Sequence, residues 1–131
     1  MIPIKIQIRF SDIDSMGHVN NAVYLNYFEY ARLAFFSPLL GTNWDWRRFG
    51  IILKKNEIEY HKPVLLGQIP EIRMFLVNIG SKSFTLGYEL CVNSEICTTG
   101  SSVLVGFDSA ANVTIEIPTK MREILAALNK E

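Results

Sequence analysis

A chain of 131 residues is sized for one domain, spanning 1–131, that can bury roughly two thirds of its unfolded surface. Lysine plus arginine balances aspartate plus glutamate at 13 each, so no basic excess marks a nucleic-acid surface. Although 49% of the residues are hydrophobic, no window approaches the roughly 18 consecutive apolar residues of a membrane span, and the start lacks the apolar run of a secretory signal; a cytoplasmic protein is expected.

Ile2, Ile4, Ile6, Ile8 and Phe10 alternate with small or polar residues, a pattern of period two that predicts a half-buried strand over 3–9. A polar stretch follows, 12–21, with Gly17 as its flexible point. Asn20 and Asn21 offer side-chain oxygens to cap a helix that begins near Asn21 or Ala22 and runs to about Phe36, where Ser37-Pro38 and Gly41 should stop it. Such a helix is about 24 Å long. Apolar residues go most of the way round it, which predicts a helix enclosed by the rest of the fold. On it, Glu29 and Arg32 stand three apart and are expected to pair. The aromatic run Trp44-Asp45-Trp46 is expected to lid one end of the core or close a pocket.

Four strands then follow, over 50–60, 69–78, 83–92 and 95–107, with a short strand end at 114–117 and a closing helix over 118–128. The turns between them are short, which argues for antiparallel pairing. The predicted architecture is α+β: one long helix within an antiparallel meander of about five strands, whose exposed edges favour a dimer. Cys91 and Cys97 sit in no metal or redox pattern and read as reduced, buried thiols. His18 and His61 are distant in sequence and carry no ligand spacing, so neither a metal nor a cofactor is expected.

The chemistry gathers in the polar stretch. Asp12 and Asp14 lie at a strand end where i and i+2 face the same way, and Gly17 lets the chain fold back over the helix that follows. The first N–H groups of a helix have no intrahelical partner, and its dipole places about half a positive charge there. A carboxylate beside such a terminus has the parts to cleave a thioester: a general base or nucleophile facing donors for an oxyanion.

The run Asp12-x-Asp14-x-x-Gly17-His18-Val19-Asn20-Asn21-x-x-Tyr24-Leu25, followed by Glu29-x-Ala31-Arg32, resembles the hotdog-fold acyl-CoA thioesterases of the 4-hydroxybenzoyl-CoA type. Downstream, Ile58-x-Tyr60-x-x-Pro63-x-x-x-Gly67 and Gly80-Ser81-Lys82-Ser83-Phe84 extend the likeness over about 3–107. The resemblance implies a hotdog fold, a long helix wrapped by a curved sheet, assembled as homodimers and often tetramers. It implies Asp14 as the catalytic carboxylate and a backbone N–H at or near Asn21 as the oxyanion donor. His18 matches the histidine that plant acyl-carrier-protein thioesterases bring to their site. Those enzymes carry an Asn two residues after the Asp, where this chain has Met16, so an acyl-CoA is the expected substrate. Tyr24, Phe28 and Asn20 are candidate substrate contacts, and Lys82 matches a basic position in the hairpin of the 4-hydroxybenzoyl enzymes, suited to coenzyme A phosphates. Asp12 is expected to hold the loop or Arg9.

Two other functions fit the same fold. A hotdog hydratase or dehydratase would show Asp-x-Asn-Pro-x-His, which this sequence lacks. A non-catalytic acyl-CoA sensor or binding module would bind acyl-CoA tightly and release no free thiol.

Overall fold

A computed structural model describes residues 2–128. In chain order its elements are β1 (Ile4–Lys5), a 3-10 turn (Phe10–Asp12), α1 (Val23–Leu40), β2 (Gly50–Tyr60), β3 (Glu71–Ile79), β4 (Ser83–Val92), β5 (Glu95–Asp108), β6 (Val113–Thr114) and α2 (Thr119–Ala126). The strands form one antiparallel sheet in the order β1-β3-β4-β5-β2, and β6 pairs with the end of β5. Irregular steps near Lys54, Val77 and Cys91 break the register, and such bulges bend the strands that carry them. This is a hotdog fold, with α1 as the filling.

β4 shows why the helix sits where it does. Phe84, Leu86, Tyr88, Leu90 and Val92 alternate along it and all are buried, giving a continuous apolar strip under α1. From the helix, Phe28 stacks flat on Tyr88 with ring centroids 4.3 Å apart, and Phe36 meets Phe84 edge-on. Gly100 in β5 keeps this approach open: a Cβ there would lie 2.8 Å from the Phe28 ring and 2.9 Å from the Glu57 carbonyl. Met121, Leu125 and Leu128 close the core from the other end of the chain.

The N-terminal strand is shorter than its alternation predicts. Ile4 pairs with Ile72 and Lys5 with Glu71, and the Ile6 N–H reaches the Pro70 carbonyl at 2.8 Å. Proline has no N–H to return, so the ladder ends there. Soon after, Asp12 Oδ2 accepts the Arg9 N–H at 3.0 Å, and the chain turns through Phe10–Asp12.

The helix departs from expectation in two respects. It runs through Pro38 to Leu40, where Gly41 stops it at φ +87° with its N–H on the Ser37 carbonyl. Pro38 removes one hydrogen bond, but the extra turn buries Leu40, and Lys120 Nζ donates to the Leu40 carbonyl at 3.2 Å. Nor is α1 enclosed on every side. Asn26, Glu29, Tyr30, Leu33 and Ser37 form an exposed stripe, with Tyr30 56% and Leu33 52% accessible.

Arg32 does not pair with Glu29. It turns into the core, where its guanidinium donates to the Tyr88 hydroxyl at 3.0 Å and to Ser102 Oγ at 3.5 Å; Ser102 in turn donates to Asn56 Oδ1 at 2.6 Å. Burying the long stem between helix and sheet satisfies more donors than a pair on the exposed face would.

Candidate active site

The polar stretch folds into a tight hairpin laid against the start of α1. The Asp14 N–H donates to the His18 carbonyl at 2.8 Å, and the Asn20 N–H to the Asp12 carbonyl at 2.8 Å. Gly17, at φ +81°, makes the reversal between them. Val19 N–H donates to the Val64 carbonyl, and His18 bridges to Leu65, which pins the hairpin to the loop after β2.

Within this hairpin the two oxygens of Asp14 have different fates. Oδ1 accepts the N–H groups of Met16 (2.8 Å) and His18 (3.1 Å). Oδ2 accepts no hydrogen bond among the described residues, so one carboxylate oxygen is held while the other stays open. The side chain is half-buried and lines a cleft of about 230 Å³ together with His18, Asn21, Tyr24, Tyr60 and His61.

The helix start forms another part of the same cleft. Asn20 Oδ1 accepts the Ala22 N–H at 2.9 Å and the Val23 N–H reaches the Asn20 carbonyl, so Asn20 organises the approach while Ala22 occupies the cap position without a side-chain bond. The Asn21 N–H has no acceptor among the described residues. On its other side, the Asn21 carbonyl accepts the Tyr60 hydroxyl at 2.7 Å, tying the last residue of β2 to the helix tip. The Tyr60 ring meets Tyr24 edge-on at 5.2 Å. Burial pushes both phenols above the usual tyrosine value, for Tyr24 against the pull of the Val64 backbone, so both are neutral hydroxyls near pH 7.

Four of the residues singled out from sequence therefore share this cleft: Asp14, His18, Asn21 and Tyr24. The others lie elsewhere in the chain. Phe28 is core, stacked on Tyr88. The Asn20 carboxamide is committed to Ala22. Lys82 sits at the opposite end of the sheet, where its carbonyl accepts the Gly106 N–H. Trp44 is at that end too, against Phe49, with its indole N–H on the Phe49 carbonyl.

Asp12 points away from Asp14, and its Oδ2 accepts both the Arg9 N–H and the Tyr27 hydroxyl (2.7 Å). Burial first, and this carboxylate second, hold the Tyr27 hydroxyl well above the ordinary range.

Sequence reasoning missed Tyr60, His61 and Lys62 as cleft residues. They arrive about forty positions later, carried by β2 along β5, where both the His61 and the Lys62 N–H donate to the Cys97 carbonyl. The His61 ring pairs through Nε2 with Thr99 Oγ1 at 2.9 Å. The Pro63 and Gly67 signals marked the strand exit, and only the pairing of β2 with β5 shows which cleft that exit faces. Although both histidines share the cleft, no cluster of three or more His, Cys, Asp or Glu side chains among the described residues is placed to hold a metal.

Residues 8–125 match the model of the Thioesterase-like superfamily. The chain belongs to that superfamily. A solved thioesterase of Thermus thermophilus, complexed with coenzyme A and zinc, is 30% identical, superposes with a TM-score of 0.83, and covers 96% of this chain and 92% of its own. The PA5185 protein of Pseudomonas aeruginosa strain PAO1 is 26% identical with a TM-score of 0.89, covering 100% of this chain and 93% of its own. YsmA of Bacillus subtilis strain 168, an uncharacterised protein, is 27% identical over 124 residues, 92% of this chain and 82% of YsmA. No described helix is long and apolar enough to cross a membrane.

Proposed function

We propose that this superfamily member is an acyl-CoA thioesterase of the 4-hydroxybenzoyl-CoA type, a single hotdog domain that releases a free carboxylic acid and coenzyme A. The observation that carries the reading is the divided role of Asp14: Oδ1 holds the turn, Oδ2 accepts no hydrogen bond among the described residues, and the side chain lines the cleft shared with Asn21 at the start of α1. The likeness to a thioesterase solved with coenzyme A supports the choice of carrier.

In this mechanism the thioester carbonyl lodges between the carboxylate and the helix tip. Asp14 Oδ2 takes a proton from water as the oxygen attacks the carbonyl carbon, or attacks that carbon itself to give an anhydride that water then opens. The negative charge that develops on the carbonyl oxygen is met by the Asn21 N–H and the positive end of the helix dipole. Collapse of the tetrahedral adduct breaks the C–S bond, and the departing thiolate takes up a proton. His18 and His61 line the cleft where that sulfur leaves, and either imidazole is suited to supply the proton. Tyr24 and Tyr60 form the wall.

The proposed active assembly is a homodimer joined along β2. That strand is a sheet edge of 11 residues with Ile52 and Leu53 exposed, a surface that natural proteins cover.

The test is Asp14→Asn. Asparagine keeps an Oδ1 acceptor for Met16 and His18 but loses the charge, so the turn should survive while kcat on acyl-CoA falls by about 10²- to 10⁴-fold. A thiol-detecting assay on a panel of aromatic, short-chain and long-chain CoA esters measures it; parental turnover in the variant would rule the mechanism out.

A further inference from the structure

On the other side of the Asp12–Asn20 hairpin lies a second and larger cleft, of about 450 Å³. One wall is the end of β1 and the extended segment after it. Ile6 is buried and Ile8 half-buried, so Lys5, Gln7 and Arg9 turn their side chains to the opposite face, three hydrogen-bond donors in a row. The facing wall is one side of α1, with Asn26, Tyr27 and Tyr30 at helical spacing. The bond from Tyr27 to Asp12 draws the two walls together. Neither Lys5 nor Arg9 makes an ion pair among the described residues, and the exposed Tyr30 ring meets no other aromatic ring there.

The Asp12 carboxylate also lines this cleft, but its Oδ2 is taken up by the Arg9 N–H and the Tyr27 hydroxyl. The two cations leave the lining net positive and, with the open aromatic ring, define a ligand that is both anionic and flat. An acyl chain has no use for the cations, and a bare anion has none for the ring or for so large a volume. A phosphorylated nucleoside satisfies both walls: phosphates on Lys5 and Arg9, base against Tyr30.

We infer that this cleft holds the phosphorylated adenosine end of coenzyme A, a subsite separate from the one that holds the thioester. The inference rests on the thioesterase reading for its choice of nucleotide. The two clefts flank one hairpin: Asp12 and Val23 line this one, Asp14 and Tyr24 the other. Asp12 and Asp14 are two residues apart, at most about 7 Å of extended chain. The long pantetheine arm has only that hairpin to cross to bring its sulfur to Asp14.

Lys5, Arg9 and Tyr30 are all exposed, so replacing them leaves the core untouched. Calorimetric titration with adenosine 3′,5′-bisphosphate should show binding to the parent, weakened about tenfold or more in the K5Q/R9Q double variant and less in Tyr30→Ala. In steady-state kinetics the double variant should raise KM for acyl-CoA by a similar factor with kcat held, and leave the matching acyl-pantetheine, which lacks the nucleotide, at its parental KM. No binding of the bisphosphate to the parent, or equal binding by parent and double variant, would overturn the subsite. Tight binding of ATP that coenzyme A fails to displace would overturn the assignment to coenzyme A. Should the parent hydrolyse no acyl-CoA, the thioesterase reading falls, and the titration alone still decides the cleft.

Discussion

Asp14 divides its two oxygens between structure and solvent, and that division makes its substitutions separable. Asp14→Ala removes the acceptor for two N–H groups as well as the charge. It should cost about 1–2 kcal/mol of stability on top of the lost turnover, read as a lower midpoint in urea. Asp14→Asn should lose turnover alone, and equal midpoints for the two variants would contradict the hydrogen-bonding role. The leaving-group side has its own probe. If His61 protonates the thiolate, His61→Ala should slow aliphatic thioesters by about 10²-fold and spare one with an acidic thiophenol leaving group. Equal loss on both would remove that role from His61. Much of this site was legible from residues that stand close together in the chain, because Asp14, His18, Asn21 and Tyr24 occupy one hairpin and the helix turn that follows it. Tyr60 and His61 were not, since only strand pairing delivers them to the cleft.

At the scale of the elements, β2, β4 and β5 follow their sequence patterns nearly to the residue, because each is bounded by turn signals. The ends that differ are those where tertiary contact outweighs local preference: β1 stops where it meets the proline just before β3, and α1 passes Pro38 to bury Leu40. Packing between elements gives a further prediction. Gly100→Ala places a methyl against the Phe28 ring and the Glu57 carbonyl, and the backbone carbonyl has little room to move; a loss of about 1–3 kcal/mol is expected by chemical denaturation. Between the hairpin and α1, the raised Tyr27 hydroxyl sets a pH dependence. The folded chain keeps this proton to higher pH than the unfolded chain, whose tyrosines titrate near 10. Its contribution is therefore complete below pH 10 and is lost as pH rises above it. Thermal midpoints should fall with pH in that alkaline window, less steeply in Tyr27→Phe, and identical slopes would exclude the effect.

For the molecule as a whole, the sheet order leaves β1 and β2 as edges, and β2 is long, apolar in part and uncovered. Leu53→Glu should convert the expected dimer to monomer in sedimentation and reduce hydrolysis with it; a parental sedimentation coefficient would move the interface elsewhere. The exposed stripe of Tyr30 and Leu33 was invisible to a reading that counted apolar residues around α1, because such a count does not tell core from surface.

Arg32 links these scales. A guanidinium only donates, so Ser102 must accept from it and offer its own proton to Asn56. Every bond in that chain thus has the same polarity, from the centre of the helix out to the edge strand β2, and it ends by fixing which way round the Asn56 amide sits. The strand that the proposed partner would meet is thus tied through Ser102 to the centre of the helix, and a shift of either is passed to the other.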